Sequence, residues 1–190
     1  MAHASSNGTV VAVVGSASDD ALATLDALPG VEALALHGSD PGVAARRIAA
    51  AGAAWVVHDA DPLEHVGAAW IELYEERATL GTLEVEVETA LARFDAGEAI
   101  MPDYYIVLDP EDAVGTWRHW WCGALGHHAP RRVLPAQSPA TTKDPSAQVS
   151  ASVALRRMLA GLPSSQPWPD PASWLPNLAF DIPDRVGLRE

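Results

Sequence analysis

The run TVVAVVG at positions 9–15 limits this chain more than any other stretch. It is continuous, rich in β-branched residues and carries no polar residue at alternate positions, so a strand built from it is apolar on both faces. Such a strand belongs in a parallel sheet covered on both sides. Parallel neighbours need crossover helices, and the next residues supply one. In SDDALATLDALPG (18–30), Ser18 is a candidate N-cap, Asp19 and Asp20 fill the first turn, Leu22, Leu25 and Leu28 share a face, and Pro29 with Gly30 ends the helix.

The pattern repeats. VEALALHG (31–38) reads as a strand, DPGVAARRIAAAG (40–52) as a helix with Pro41 at its start and Gly52 past its end, and AAWVVHDAD (53–61) as a third strand. DYYIVLD (103–109) and RRVLPA (131–136) add two more strands, with a helix expected over 110–126 between them. QSPATTKDPS (137–146) is loop-like, and AQVSASVALRRMLAGL (147–162) reads as a helix on the sheet. The sum is an α/β domain, Rossmann-like or flavodoxin-like, with a mainly parallel five-stranded sheet and helices on both faces.

Two segments stand apart. Across 62–97 the apolar residues Trp70, Leu73, Leu80, Leu83, Val87, Leu91 and Phe94 recur at helical spacing. One unbroken helix there would reach about 54 Å, more than the domain needs. Either Gly81 divides it into a helical hairpin, or it is a continuous arm pairing with a second copy of the chain. From Pro163 onward six prolines exclude regular helix or central strand, yet Trp168, Trp174, Leu175, Phe180 and Ile182 make the segment apolar. The expected organisation is one domain over 1–162 and an extended tail over 163–190, lying on that domain or on a neighbour.

Composition narrows the partners. With 25 acidic against 12 basic residues, a net charge of −13 opposes binding to nucleic acid or anionic lipid. The single cysteine, Cys122, cannot form an internal disulfide. The first residues lack the basic region of a signal peptide, and no apolar run approaches the roughly 20 residues that span a bilayer. The expected location is the cytoplasm, with no membrane partner and a homo-oligomer as the expected assembly.

Ligands of open parallel sheets sit at the C-terminal strand ends, where strand order reverses. Those ends read GSASDD (15–20), HGSD (37–40), HDAD (58–61), DPED (109–112) and PAQS (135–138). Ser16 and Ser18 have the character of a phosphate cradle at a helix N-terminus. The stretch lacks the Gly-Lys-Ser/Thr of a P-loop and the later glycines of a dinucleotide fingerprint, and Asp19 and Asp20 would oppose an anion. A capped turn is the alternative. Asp59, Asp61, Asp109 and Asp112 suit a hard cation such as Mg2+, and Asp59 and Asp61, two apart, would share one side of a strand. The alternative for Asp61 and Asp109, each before a proline, is to start a helix. His37 and His58 belong to the same edge as candidate ligand contacts.

VVHDADPLEHVGAAW (56–70) resembles the aspartate motif of Toprim domains, found in topoisomerases, primases and related nucleases, and VVGSASDD (13–20) lies where that family's first strand ends. The glutamate that the family carries immediately before the glycine is replaced here by Val14. GSASD (15–19) is similar to the start of the aminoimidazole ribonucleotide carboxymutase family, whose later histidine-containing and glycine-rich motifs this chain lacks.

GTWRHWWCGALGHH (115–128) gathers three tryptophans, the cysteine and three histidines. On a helix Val114, Trp117, Trp121 and Leu125 form one apolar stripe, the pattern of a core helix. Trp120 falls at its edge, placed to stack on Arg118, on the tail or on a planar ligand. His119, Cys122 and His127 match no standard zinc spacing, and a cysteine beside two tryptophans is ordinary packing.

Two functions fit. One is a small-molecule or nucleotide-binding domain with a cation-assisted site at the strand ends, and it predicts an open cleft with converging carboxylates. The other is a non-catalytic assembly or adaptor protein, and it predicts a closed edge and an apolar face along 70–94. The acidic and hydroxyl residues at so many strand ends favour the first. No catalytic base can be assigned.

Overall fold

A computed structural model describes residues 8–141, 144–164 and 168–186. Parts of the expected loop (142–143) and tail (165–167 and 187–190), and the first seven residues, lie outside the described residues. Strands β1 (Thr9–Gly15), β2 (Val31–Leu34), β3 (Trp55–His58), β4 (Tyr104–Leu108) and β5 (Val133–Ala136) form one parallel sheet in the order β2-β3-β1-β4-β5. Residues 9–14 of β1 and all of β4 are buried, as a doubly covered sheet requires.

Helices α1 (Ser18–Asp26) and α6 (Pro145–Gly161) cover one face, against Val11, Val13, Ile106 and Leu108. The other face, with Val10, Ala12, Val14, Tyr105 and Val107, carries α2 (Pro41–Ala50), α3 (Glu64–Tyr74), α4 (Leu80–Ala96) and a helix around residues 117–128. The chain therefore leaves β1 toward one face and β3 and β4 toward the other. That divergence opens a crevice beyond the C-terminal end of β1, the place where doubly wound sheets bind ligands.

Several boundaries differ from those expected. Strands β2 and β3 stop at Leu34 and His58, because Asp59 Oδ1 accepts the backbone N–H groups of Leu36 (2.6 Å) and His37 (2.8 Å), donors that a longer β2 would need for its ladder. Ser18 is the first helical residue of α1 and not its N-cap. Ala17 holds that place in the left-handed region (φ 55°), with no side chain capping the helix.

The 62–97 stretch is a hairpin, broken at 75–79 and not at Gly81. Glu76 takes a left-handed φ of 58°, and Glu75 anchors the turn by accepting hydrogen bonds from the Thr116 hydroxyl (2.8 Å) and backbone N–H (3.2 Å). Leu83, Val87, Leu91 and Phe94 of α4 pack into the same core as Trp70 and Leu73 of α3. The apolar stripe is thus satisfied within the chain except at Leu80, which is 47% exposed, and the excess length of one continuous helix is gone.

The helix expected over 110–126 is two pieces. Pro110–Asp112 is a short 3-10 turn, Gly115 (φ 62°) redirects the chain, and the helix resumes at Trp117, becoming a π-helix over His119–Leu125 and ending in α5 (Gly126–His128). The wider i to i+5 turn changes which residues face inward. Trp120 and Trp121, adjacent in sequence, are both buried, while Val114 is 84% exposed and off the helix. Trp120 therefore sits in the core and not at an edge. Its indole lies on Gly67 and beside Trp70 (centroids 5.8 Å), where a Cβ at position 67 would be 2.6 Å from Trp120 Nε1.

Beyond Trp168 the chain lies on this face as 3-10 turns at Pro171–Ser173 and Leu175–Phe180, followed by α7 (Pro183–Val186). Trp168, Trp174, Leu175 and Leu178 are buried. Trp70 Nε1 donates to the Leu178 carbonyl (3.0 Å), the Tyr74 hydroxyl to the Ala179 carbonyl (2.5 Å), and His128 pairs with Asp181 (2.6 Å) while stacking on Trp174. No helix among the described residues is long and apolar enough to cross a membrane.

Candidate functional site

A cleft of about 420 Å³ opens at the C-terminal ends of β1, β3 and β4. Six of the expected residues line it: Ser16, Ser18, His37, Asp59, Asp61 and Asp112. They are joined by Glu64, Trp117 and Trp121. A second cavity of about 390 Å³ adjoins it, sharing His37, Asp61 and Glu64 and adding His58, His65, Arg93 and Glu98. Asp109 and Trp120 line neither.

The aspartates divide by what they already hold. Asp59 is buried and committed to the backbone of Leu36 and His37. Asp109, itself left-handed (φ 46°), accepts the Ser138 N–H (3.0 Å) and the Thr141 hydroxyl, tying the end of β4 to the chain after β5. Asp112 is exposed at the rim. Asp59 and Asp61 do not share one side of a strand, because β3 ends before either. Among the described residues no three His, Cys, Asp or Glu side chains come together as a metal site.

Asp61 is the distinctive group. Its Oδ1 accepts the Leu63 N–H (2.9 Å) and the Tyr105 hydroxyl (3.0 Å), while Oδ2 is buried without a partner. Burial pushes its pKa up to about 6, against the opposing pull of the Leu63, Tyr105 and Trp121 donors. The Trp121 indole N–H is itself buried with no hydrogen bond completed. Tyr105, raised well above its usual value chiefly by burial, remains a protonated donor. This carboxyl changes charge near neutral pH at the edge of a cleft, a property that clusters at functional sites.

His58, fully buried, has both ring nitrogens unpartnered and a pKa lowered to about 4 by desolvation, so it is a neutral imidazole on the wall of the second cavity. The Cys122 thiol is raised, mainly by desolvation, the reverse of an activated nucleophile. Val14, where the Toprim family carries its glutamate, lines the cleft as an aliphatic side chain, so that family's acid-base group has no counterpart.

Reading the sequence missed Tyr105, Glu64 and the roles of Trp117 and Trp121. Glu64 had a legible signal, lying three residues after Asp61 in the first turn of a helix. The tryptophans had none, since the helical stripe assigned them to the core. No protein-family model, curated protein or solved structure matches this chain.

Proposed function

We propose that the protein binds a small molecule in the cleft at the C-terminal edge of its sheet, with Ser16, Ser18, His37, Asp61 and Asp112 as contacts. The observation that carries this reading is Asp61: a half-buried carboxyl on the cleft wall, one oxygen fixed by two donors and the other without a partner. An unsatisfied buried acceptor is destabilising unless something completes it. Asp61 and Asp112 are the two candidate aspartates still available to a cation such as Mg2+, and the cleft would supply the remaining positions from water or ligand. Asp61 would also take up or release a proton for a bound substrate near neutral pH.

Thermal unfolding with and without Mg2+, Mn2+ and a panel of nucleotides and small metabolites tests this reading. A ligand specific for the folded form at a hundred times its Kd adds about 2.7 kcal/mol. The expected result is a ligand whose shift is abolished by Asp61→Asn. If no compound in the panel moves either the melting temperature or the amide resonances around the cleft, the reading is wrong.

The assembly reading retains one observation. Leu80 and Val85 of α4 and Phe180 of the tail segment are exposed, at 47%, 59% and 79%, and Leu80 and Phe180 border a groove of about 360 Å³ between α4 and residues 175–180. A homo-oligomer in light scattering that Phe180→Ser dissociates would favour it.

A further inference from the structure

We propose that the strand-end cleft selects a small organic ammonium over phosphate-bearing or neutral ligands, an inference that rests on the cleft being a binding site. Its charge points one way. Asp61, Glu64 and Asp112 line it, and among the described residues no lysine or arginine does, whereas the adjoining cavity includes Arg93. A buried carboxyl that the protein leaves without a countercharge is completed either by a proton or by a cation brought from outside.

The wall has matching chemistry. Trp117 and Trp121 lie side by side, ring centroids 4.9 Å apart and planes at 33°, and both line the cleft. Tryptophan is the strongest cation-π partner among side chains, and this pair, packed ring on ring, offers an ammonium one aromatic surface on the cleft wall. Trp121 is only 9% exposed, and its indole N–H lies against the Asp61 carboxyl without completing a hydrogen bond. A ligand oxygen that accepts this N–H while its ammonium pairs with the Asp61 carboxyl would complete both groups, so a hydroxylated ammonium fits the pair. A phosphate meets the opposite situation. The N-terminus of α1 carries no side-chain cap, but Asp19 and Asp20 in its first turn repel an anion that the carboxylates of the cleft already oppose.

The test uses the full chain labelled with 15N. Indole N–H resonances of Trp117 and Trp121, assigned through Trp117→Phe and Trp121→Phe, are followed during titration with choline, with its neutral isostere 3,3-dimethylbutan-1-ol, and with inorganic phosphate. Choline is expected to move both resonances with a Kd at least tenfold below that of the isostere, and phosphate to move neither. Asp61→Asn should weaken choline binding at least tenfold. Glu64→Gln and Asp112→Asn, at exposed positions where folding is insensitive, should weaken it several-fold. An isostere that binds within twofold of choline, or phosphate that moves these resonances, overturns the ammonium inference and leaves the cleft as the site of another ligand class. Silence from all three also overturns it, while the binding reading falls only if the wider ligand panel is silent too.

Discussion

The Tyr105 hydroxyl donates to Asp61 Oδ1 across 3.0 Å, linking strand β4 to the loop that follows β3 on the far side of the central strand β1. These residues are 44 positions apart, and the bond exists because Ala12 of β1 is in register with both Tyr105 of β4 and His58, where β3 ends, so the chain leaving β3 passes the Tyr105 row. It fixes a cleft carboxyl whose pKa burial raises to about 6.

Asp61 and His58 give opposite dependences of stability on pH. The folded pKa of Asp61, about 6, lies above its ordinary 3.8, so its contribution is lost as pH rises from about 4 through 6. The folded pKa of His58, about 4, lies below 6.5, so its contribution is lost as pH falls from about 6.5 toward 4. Each amounts to roughly 3 kcal/mol at full titration, and in the intact protein they largely offset one another. Urea unfolding from pH 4 to 6.5 should show Asp61→Asn gaining on the parent protein as pH rises, and His58→Gln losing to it. A difference from the parent that stays constant across this range would contradict both assignments.

Gly67 is fixed by the Trp120 indole. A methyl group there meets Nε1 at 2.6 Å and Cε2 at 2.8 Å, inside a fully buried ring. Gly67→Ala should therefore destabilise by about 1–3 kcal/mol despite its helical position. Combining it with Trp120→Phe, which removes the offending ring edge, should give a loss smaller than the sum of the two single changes. Additive melting temperatures would show that the contact is not limiting.

Residues 168–182 contribute core packing. Trp174→Ala, at 4% exposure, should cost about 3–5 kcal/mol. Phe180→Ala, at 79% exposure in the same segment, should stay within about 0.5 kcal/mol. Equal, small effects in chemical denaturation would mean that the segment is not docked in solution.

Asp59 and Asp109 are expected to act on the backbone and not through a metal. Replacing either by alanine leaves two donors without their acceptor and should lower stability by about 1–3 kcal/mol. Melting curves with and without Mg2+ decide the point. A loss that appears only in the presence of magnesium would make the residue a cation ligand.

The structure bears out much of the fold read from local pattern. The apolar run of β1, the alternation of strands with helices, and the parallel five-stranded sheet follow from periodicity and from the need to cover both faces of such strands. Their boundaries were less legible, since Asp59 ends β2 by capturing N–H groups more than twenty residues away. Which strand ends carry polar residues could also be read, and six of the nine candidate residues line one cleft.

What sequence alone determined was therefore a sheet, its coverage and the edge at which to look. Tertiary structure decided the rest: the turn at 75–79, the π-helix that buries Trp120 while Trp121 lines the cleft, and the separation of four similar aspartates into two that hold distant segments together, one with a single oxygen fixed and one exposed at the rim. The reason is physical. Periodicity is a property of neighbours along the chain, whereas the partner that neutralises, caps or orphans a carboxyl comes from a distant strand and is set only when the sheet closes.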